Sequence, residues 1–348
     1  MLSKKGSRMR TTTGKHLLWL SALLLSFTVL SACGTDEKQS SDAETKTTTE
    51  AQNDSTDTSS DQESAKTEEE AAAYPIKLTD ELGHEVTLPA KPLRIFAPML
   101  EDQLISLDIL PIAQWSNGVE PQNYLQDKLG SVPALSFASG LPSAEQVLAY
   151  KPDLIVLHNK YYAEKGIYEQ YSKIAPTYVF DNASANVNSS IEKLGTIVGA
   201  ESQAEAAITA YANKVADAKE KLASSIEGHK AVIIRFNAKG MFFMNGDYYS
   251  GAVLSKELGF AQSEVVTGGA LEVSLEILPE LDADYIFLVN DGHQGDSALK
   301  ELKDSALWQS ASAVKAGHVF ETTSDYWLSG GYNAQGKVID DVIGFLQQ

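Results

Sequence analysis

The sequence predicts an α/β protein: two α/β lobes with mostly parallel sheets, joined by one long rigid α-helix. The first observation behind this is a set of short β-rich runs, Leu93–Pro98, Asp153–Asn159, Pro176–Asp181, Ala231–Asn237, Asp284–Asp291 and His318–Thr322. Most are continuously apolar, the pattern of strands covered on both faces, as in parallel sheets flanked by helices. The second is the stretch Ser202–Ser225, where Ala204, Ile208, Tyr211, Val215, Ala218 and Leu222 recur at spacings of four and three with no Gly or Pro. That period predicts a helix of more than six turns near the middle of the folded region. The third is an internal repeat. Ser143, Glu145 and Val147 precede the run Asp153–Leu157, and Ser274, Glu276 and Leu278 precede Asp284–Leu288, every matched pair 131 residues apart. Each copy reads as a capping serine, an acid in the first helical turn and then a buried strand, which indicates two related halves.

The chain of 348 residues opens on Lys4, Lys5, Arg8, Arg10 and Lys15 with no acid before Cys33. The apolar segment Leu17–Val29 follows, of secretory length and too short to span a bilayer comfortably. Small residues Ser31 and Ala32 then precede Cys33, the only cysteine, which has no internal partner for a disulfide. The tetrad Leu30-Ser31-Ala32-Cys33 resembles the lipobox of bacterial lipoproteins, which implies cleavage before Cys33 and acylation of its sulfur. Two acyl chains then give stable anchoring. From Gly34 to Ala73 the chain lacks aromatic and large aliphatic residues, so the sequence predicts a disordered tether, with a span of about 35 Å. The expected organisation is therefore a signal peptide over 1–32, a lipidated tether over 33–73, an N-terminal lobe over 74–200, the interlobe helix over 201–227 and a C-terminal lobe over 228–348. The whole chain carries a net charge of −19, and subtracting leader and tether leaves −15 on residues 74–348. No basic stripe exists to release counterions, which excludes nucleic acid as a partner.

Several phrases together carry a wider resemblance: "YPIKLTDELGHEVTLPAKPLRI", "SAEQVLAYKPDLIV", "SKIAPTYVFD", "GMFFMNGDYYSGAVLSKELGF" and "VFETTSDYWLSGG". In this order and spacing, over essentially all of Tyr74–Gln348, the chain resembles the substrate-binding lipoproteins of bacterial iron-siderophore ABC importers. The resemblance implies a bilobed, monomeric binder with a shallow cleft for a ferric chelate, held on the outer face of the membrane of a Gram-positive cell and delivering to a permease dimer with its ATPase. It implies no cofactor; the iron chelate is cargo. It places the family's docking acids at Glu145 and Glu276, opposite arginines of the permease. As residues, the same acids also read as local stabilisers of helix N-termini.

In open α/β sheets ligands gather beyond the carboxyl ends of strands, so the residues following each run are the binding candidates. These are Met99 and Glu101 after the first run, Trp115, the pair Lys160 and Tyr161, Arg235, the pair Tyr248 and Tyr249, Asn290, and the pair Tyr326 and Trp327. The resemblance puts Arg235 and the aromatics of "GDYYSG" and "SDYW" near the family's ligand contacts, although Tyr249, Ser250 and Gly251 stand where relatives often carry Trp, Gly and Arg. Many aromatics with few cations suit a hydroxamate chelate, which is nearly neutral. A catecholate chelate, with about three negative charges, calls for clustered Arg and Lys. The six histidines are scattered, so no direct metal site is expected. Met99 with His293 leaves haem as an alternative on the same architecture, and cobalamin is another. A surface adhesion lipoprotein is a third class. The sequence has no G-x-S-x-G, P-loop, H-E-x-x-H or post-strand G-x-G-x-x-G motif, and no enzyme is expected.

Overall fold

Each of the six apolar runs contains a strand. The computed structural model describes residues 74–247, 249–266 and 268–347, all within the second of two compact units, Thr67–Gln348. The strands are β1 (Ile76–Thr79), β2 (Glu85–Leu88), β3 (Ile95–Phe96), β4 (Gln114–Ser116), β5 (Ala134–Ser136), β6 (Leu154–Leu157), β7 (Thr177–Val179), β8 (Ala231–Asn237), β9 (Gly240–Met244), β10 (Ala270–Val273), β11 (Tyr285–Asn290) and β12 (Val319–Thr323). In the N-terminal half β3, β6 and β7 pair in parallel. In the C-terminal half β8, β11 and β12 do the same, and β9 and β10 extend that sheet antiparallel. β6 and β7 are buried throughout and β11 nearly so, as continuous apolar runs require. The β1–β2 hairpin and the pairing of β4 with β5 were not anticipated, although Leu110–Gln114 reads as a strand that Trp115 follows. β1 and β2 alternate in burial and β4 is only three residues long, so neither offers a continuous apolar run.

The sequence repeat is also a repeat of hydrogen bonds. The amide of Asp153 donates to the carbonyl of Arg94 at 2.9 Å, and its carboxylate accepts the amides of Leu93 and Arg94 at 2.9 and 2.8 Å. In the second half the amide of Asp284 donates to the carbonyl of Lys230 at 2.9 Å, and its carboxylate accepts the Lys230 amide at 2.7 Å. Each aspartate thus fixes the start of the middle strand of its parallel trio, β6 or β11, against the neighbour on one side. The preceding helical turns differ. Ser143 forms a capping box with Gln146 at the head of the helix Ala144–Ala149. Ser274 instead spends its hydroxyl on the Glu276 side chain, and the turn Leu275–Glu280 is a 3₁₀ helix containing Pro279.

The long helix runs from Glu201 to Ile226, 26 residues, or about 39 Å. Ala204, Tyr211, Val215, Ala218, Leu222 and Ile226 are buried, and the anticipated Ile208 is half-buried against the same core. The helix packs on Val187–Val198 from the N-terminal half and on the C-terminal helix Tyr332–Leu346. A side chain at Gly195 would bring its Cβ within 2.8 Å of Ala204 Cβ, so that glycine permits the first of these contacts. One buried cluster runs without interruption from Leu154 and Tyr178 through this helix to Phe287 and Trp327. The two sheets built on parallel strands are separate ladders, yet they share a core.

The seam between the halves is polar as well. Asp102, 2% exposed, sits in the first turn of the helix Glu101–Ser106 and reaches the N-terminus of Tyr332–Leu346. Its carboxylate accepts the amides of Asn333 at 3.0 Å and Ala334 at 2.9 Å, and the Asn333 side-chain amide at 3.0 Å. It is an N-cap supplied from the other half of the chain, at the positive end of the helix dipole. Asp325 returns the arrangement: its carboxylate accepts the amide of Asn123 at 2.9 Å, at the start of the 3₁₀ turn Asn123–Leu125. Gly331, with φ 145°, makes the first contact possible, because a Cβ there would lie 2.2 Å from Asp102 Cγ. Gly331→Ala is expected to destabilise the protein by about 2–4 kcal/mol in urea unfolding, from backbone strain plus a displaced cap. Gly344→Ala, in the same helix but with open space around the new methyl, is expected to be neutral or stabilising by up to about 1 kcal/mol.

Candidate functional site

The carboxyl ends of the parallel strands, together with the loop after β4, frame one large cleft of about 840 Å³. The N-terminal half contributes Met99, just beyond β3, Trp115 in β4 and the loop Asn117–Asn123. The C-terminal half contributes Arg235 in β8, the turn Asn290–Gln294 after β11 and Thr322–Asp325 at the end of β12. Met99 adopts φ 64°, uncommon for a residue with a side chain, and accepts a hydrogen bond at sulfur from the Tyr162 hydroxyl at 3.6 Å. Beneath Tyr162 lies His158, 7% exposed and 4.7 Å from its ring centre. Burial pulls the His158 imidazole down to about 4, so it is neutral at physiological pH.

Among the described residues Arg235 is the one guanidinium or ammonium group on the cleft wall, and Asp291 neutralises it in a direct ion pair. Its Nε is buried and finds no hydrogen-bond partner among the described residues. Carboxylates dominate the rest of the charge: Glu120, Asp296, Glu321 and Asp325 line the same cleft. Lys303 pairs with Glu321 at 2.6 Å. Burial raises the Asp325 carboxyl, while the backbone amides of Asn123 and Tyr124 pull it partly back. Among the described residues no group of three or more His, Cys, Asp or Glu is placed to hold a bare metal ion, and no helix is long and apolar enough to cross a membrane.

The family of periplasmic binding proteins matches residues 111–326, well over half the chain. The chain belongs to the periplasmic binding protein family. It is 30% identical over 347 residues to the iron(3+)-hydroxamate-binding protein YxeB of Bacillus subtilis, covering 95% of this chain and 97% of that one. It is 25% identical to the Fe(3+)-citrate-binding protein YfmC of the same organism, over 92% of this chain and 93% of that one. Among solved structures it resembles Staphylococcus aureus SirA complexed with staphyloferrin B, with a TM-score of 0.69, 26% identity, and coverage of 78% of this chain and 98% of that one. The periplasmic binding protein fold thus has the mixed α/β architecture with parallel sheets and a long helix that the sequence predicts.

Of the residues singled out in the sequence, Met99, Trp115 and Arg235 line this protein's cleft, as does Asn290. Trp115 lies within β4 rather than beyond its end. The others lie elsewhere. Trp327 is fully buried, with its ring 5.1 Å from Phe287 and its indole N–H donated to Asp341 at 2.8 Å, which makes it a core residue. Tyr326 also donates to Asp341, at 2.8 Å, and packs against the core. Tyr249, at φ 42°, is half-buried against that core too. Lys160 pairs with Asp181 at 2.7 Å beside Tyr161, which is 68% exposed, and neither lines the cleft. Tyr248 and Cys33 fall outside the described residues. His293 lines the cleft with Met99, but its side chain is 89% exposed and leans toward Asp296 at 3.5 Å. Glu145 and Glu276 are exposed, one on each half, and each carboxyl is held below its usual range: Glu145 mainly by its own backbone amide, Glu276 mainly by the Ser274 hydroxyl.

Sequence reading missed the polar turns, above all Asp291–Gln294 and Thr322–Asp325. The rule that ligands sit beyond strand ends points to both, but the search there followed aromatic side chains. It also gave Glu101 no structural role. That carboxyl, 1% exposed, accepts the amide of Trp115 at 2.6 Å, while its second oxygen has no partner among the described residues. Burial pushes it up to about 7, against the pull of the Trp115 amide. A carboxyl raised by folding stabilises the fold fully below its unfolded value and loses that contribution as pH rises through the folded value. Urea unfolding is therefore expected to show stability falling between about pH 4.5 and 7, and Glu101→Gln is expected to flatten that slope.

Proposed function

We propose that this protein is a membrane-anchored receptor that captures a ferric siderophore of hydroxamate type and hands it to an ABC permease. The observation that carries the reading is the cleft itself: large, set at the carboxyl ends of the strands, and walled by Met99 and Trp115, with Arg235, its strong cation among the described residues, already neutralised. A trianionic catecholate chelate would meet carboxylates there and, among the described residues, no unpaired guanidinium. A trihydroxamate, whose three deprotonated groups cancel the charge of Fe³⁺, meets no such penalty. The full-length similarity to an iron(3+)-hydroxamate-binding protein points the same way. Acylation at Cys33 would hold the receptor on the outer face of the membrane, with the tether letting it stand off. Glu145 and Glu276, one on each half and both exposed, would meet basic groups of the permease and its ATPase complex. The role is capture and delivery, with no bond made or broken.

Tryptophan fluorescence is expected to be quenched on adding a ferric trihydroxamate, and Arg235→Ala and Trp115→Ala are each expected to weaken binding by roughly tenfold or more, the loss of about 1.4 kcal/mol or more. Full affinity in both variants would remove the cleft as the site. The double variant Glu145→Ala with Glu276→Ala is expected to abolish uptake of labelled iron chelate by cells; unchanged uptake would remove the docking role.

A further inference from the structure

We propose that the cleft discriminates among ferric hydroxamates by net charge, preferring cationic chelates, and that Glu120, Asp296 and Asp325 set this preference. The inference rests on the hydroxamate reading above and goes one step further, from the iron-binding chemistry to the end groups of the ligand. Each charge on the wall has an identifiable fate. Arg235 and Asp291 cancel each other, and Glu321 is held by Lys303 at 2.6 Å. Glu120 is exposed on the loop after β4 and enters no ion pair among the described residues. Asp296 accepts a hydrogen bond from the Asn290 side chain at 2.5 Å, and the exposed His293 imidazole lies 3.5 Å from it. Asp325 accepts the Asn123 amide at 2.9 Å, a neutral donor, and Lys337 acts on it as a countercharge with no ion pair between them among the described residues. Three carboxylates, from both halves of the chain, therefore line the cleft with no Lys or Arg ion pair among the described residues.

The chemistry of the ligand makes this field selective. In a linear trihydroxamate the three deprotonated groups balance the iron, so the chain terminus decides the overall charge. A free primary amine leaves +1, its acetyl amide 0, and its succinyl amide −1. The iron centre and the chain that would lie on Met99 and Trp115 are the same in all three. At the effective dielectric of a partly open cleft, a few ångströms separating charge from charge, each unit of ligand charge is expected to change the dissociation constant by roughly tenfold, and salt is expected to weaken the effect.

The test is a fluorescence titration of the purified protein with these three ferric chelates, at about 20 mM and about 500 mM salt, the Debye length shrinking more than fourfold between the two. The expected order is amine tightest, acetyl intermediate and succinyl weakest, with the spread contracting at high salt. In the double variant Glu120→Gln with Asp296→Asn, two exposed positions, the ratio between amine and acetyl chelates is expected to collapse toward one. Equal affinity for all three chelates, or tightest binding of the succinyl form, overturns the charge preference and leaves the hydroxamate reading standing. Binding of none of them overturns both. A ratio unchanged in the double variant overturns the assignment to these carboxylates.

Discussion

The structure depends on a buried carboxylate that belongs to one half of the chain and caps a helix of the other. Asp102 is almost wholly out of water, a position that would be strongly unfavourable for an unpaired charge. It is tolerable because two backbone amides and a side-chain amide of the C-terminal helix converge on it. Those amides are the orphan donors that every helix N-terminus leaves behind, so each side satisfies the other. Asp325, from the C-terminal half, does the same for the turn beginning at Asn123. A single cap could act as a pivot. Two caps running in opposite directions, at separate points of the seam, resist rotation about either.

This polar seam lies over an apolar one. The long helix buries Tyr211, Val215, Ala218 and Leu222 in the cluster that includes Leu154 on one side and Phe287 on the other. Opening the halves widely would expose that shared core, at about 25 cal/mol for each Å² of apolar surface, and would uncap two helical ends at once. Movement between the halves is therefore restricted to small adjustments, and the separation of Glu145 from Glu276 is nearly fixed. On the docking role proposed for these two acids, a permease would recognise the protein by the distance between them.

The architecture was legible in the sequence because it rests on long or repeated signals: a period-3.6 pattern over the long helix, apolar runs that become β6, β7, β8 and β11, and a repeat in which Asp153 and Asp284 perform the same stapling hydrogen bonds. The site was legible only in part. Met99, Trp115 and Arg235 were found by position after or near strands, whereas Tyr326 and Trp327 have the same local appearance but follow β12 into a short helix that turns them inward onto Asp341. No local pattern separates an aromatic that faces a cleft from one that closes a core. The burial of Glu101 and Asp102 was not legible for a related reason: adjacent acids at the head of a helix look like ordinary solvated N-terminal carboxylates, and only the tertiary partners, Trp115 for one and Asn333 and Ala334 for the other, show why both are buried.

A frame that cannot close far has a consequence for selectivity. A receptor with a wide hinge can distinguish ligands by whether they permit closure, since the closed contacts form only around the right shape. Here the reciprocal caps and the shared core are already in place around the cleft, so little additional contact remains to be gained. Discrimination then falls to what the cleft presents as it stands: the apolar faces of Met99 and Trp115, the Arg235–Asp291 pair, and the carboxylates around them. Shape at such a wall is permissive, because an open cleft touches only one side of a bulky chelate. Charge acts across the space that shape leaves unfilled. On the charge preference proposed above, the arrangement of acids in this cleft is the part of the sequence on which ligand choice would most depend, and it resides in the loop after β4 and the turns after β11 and β12 rather than in the sheets that hold them.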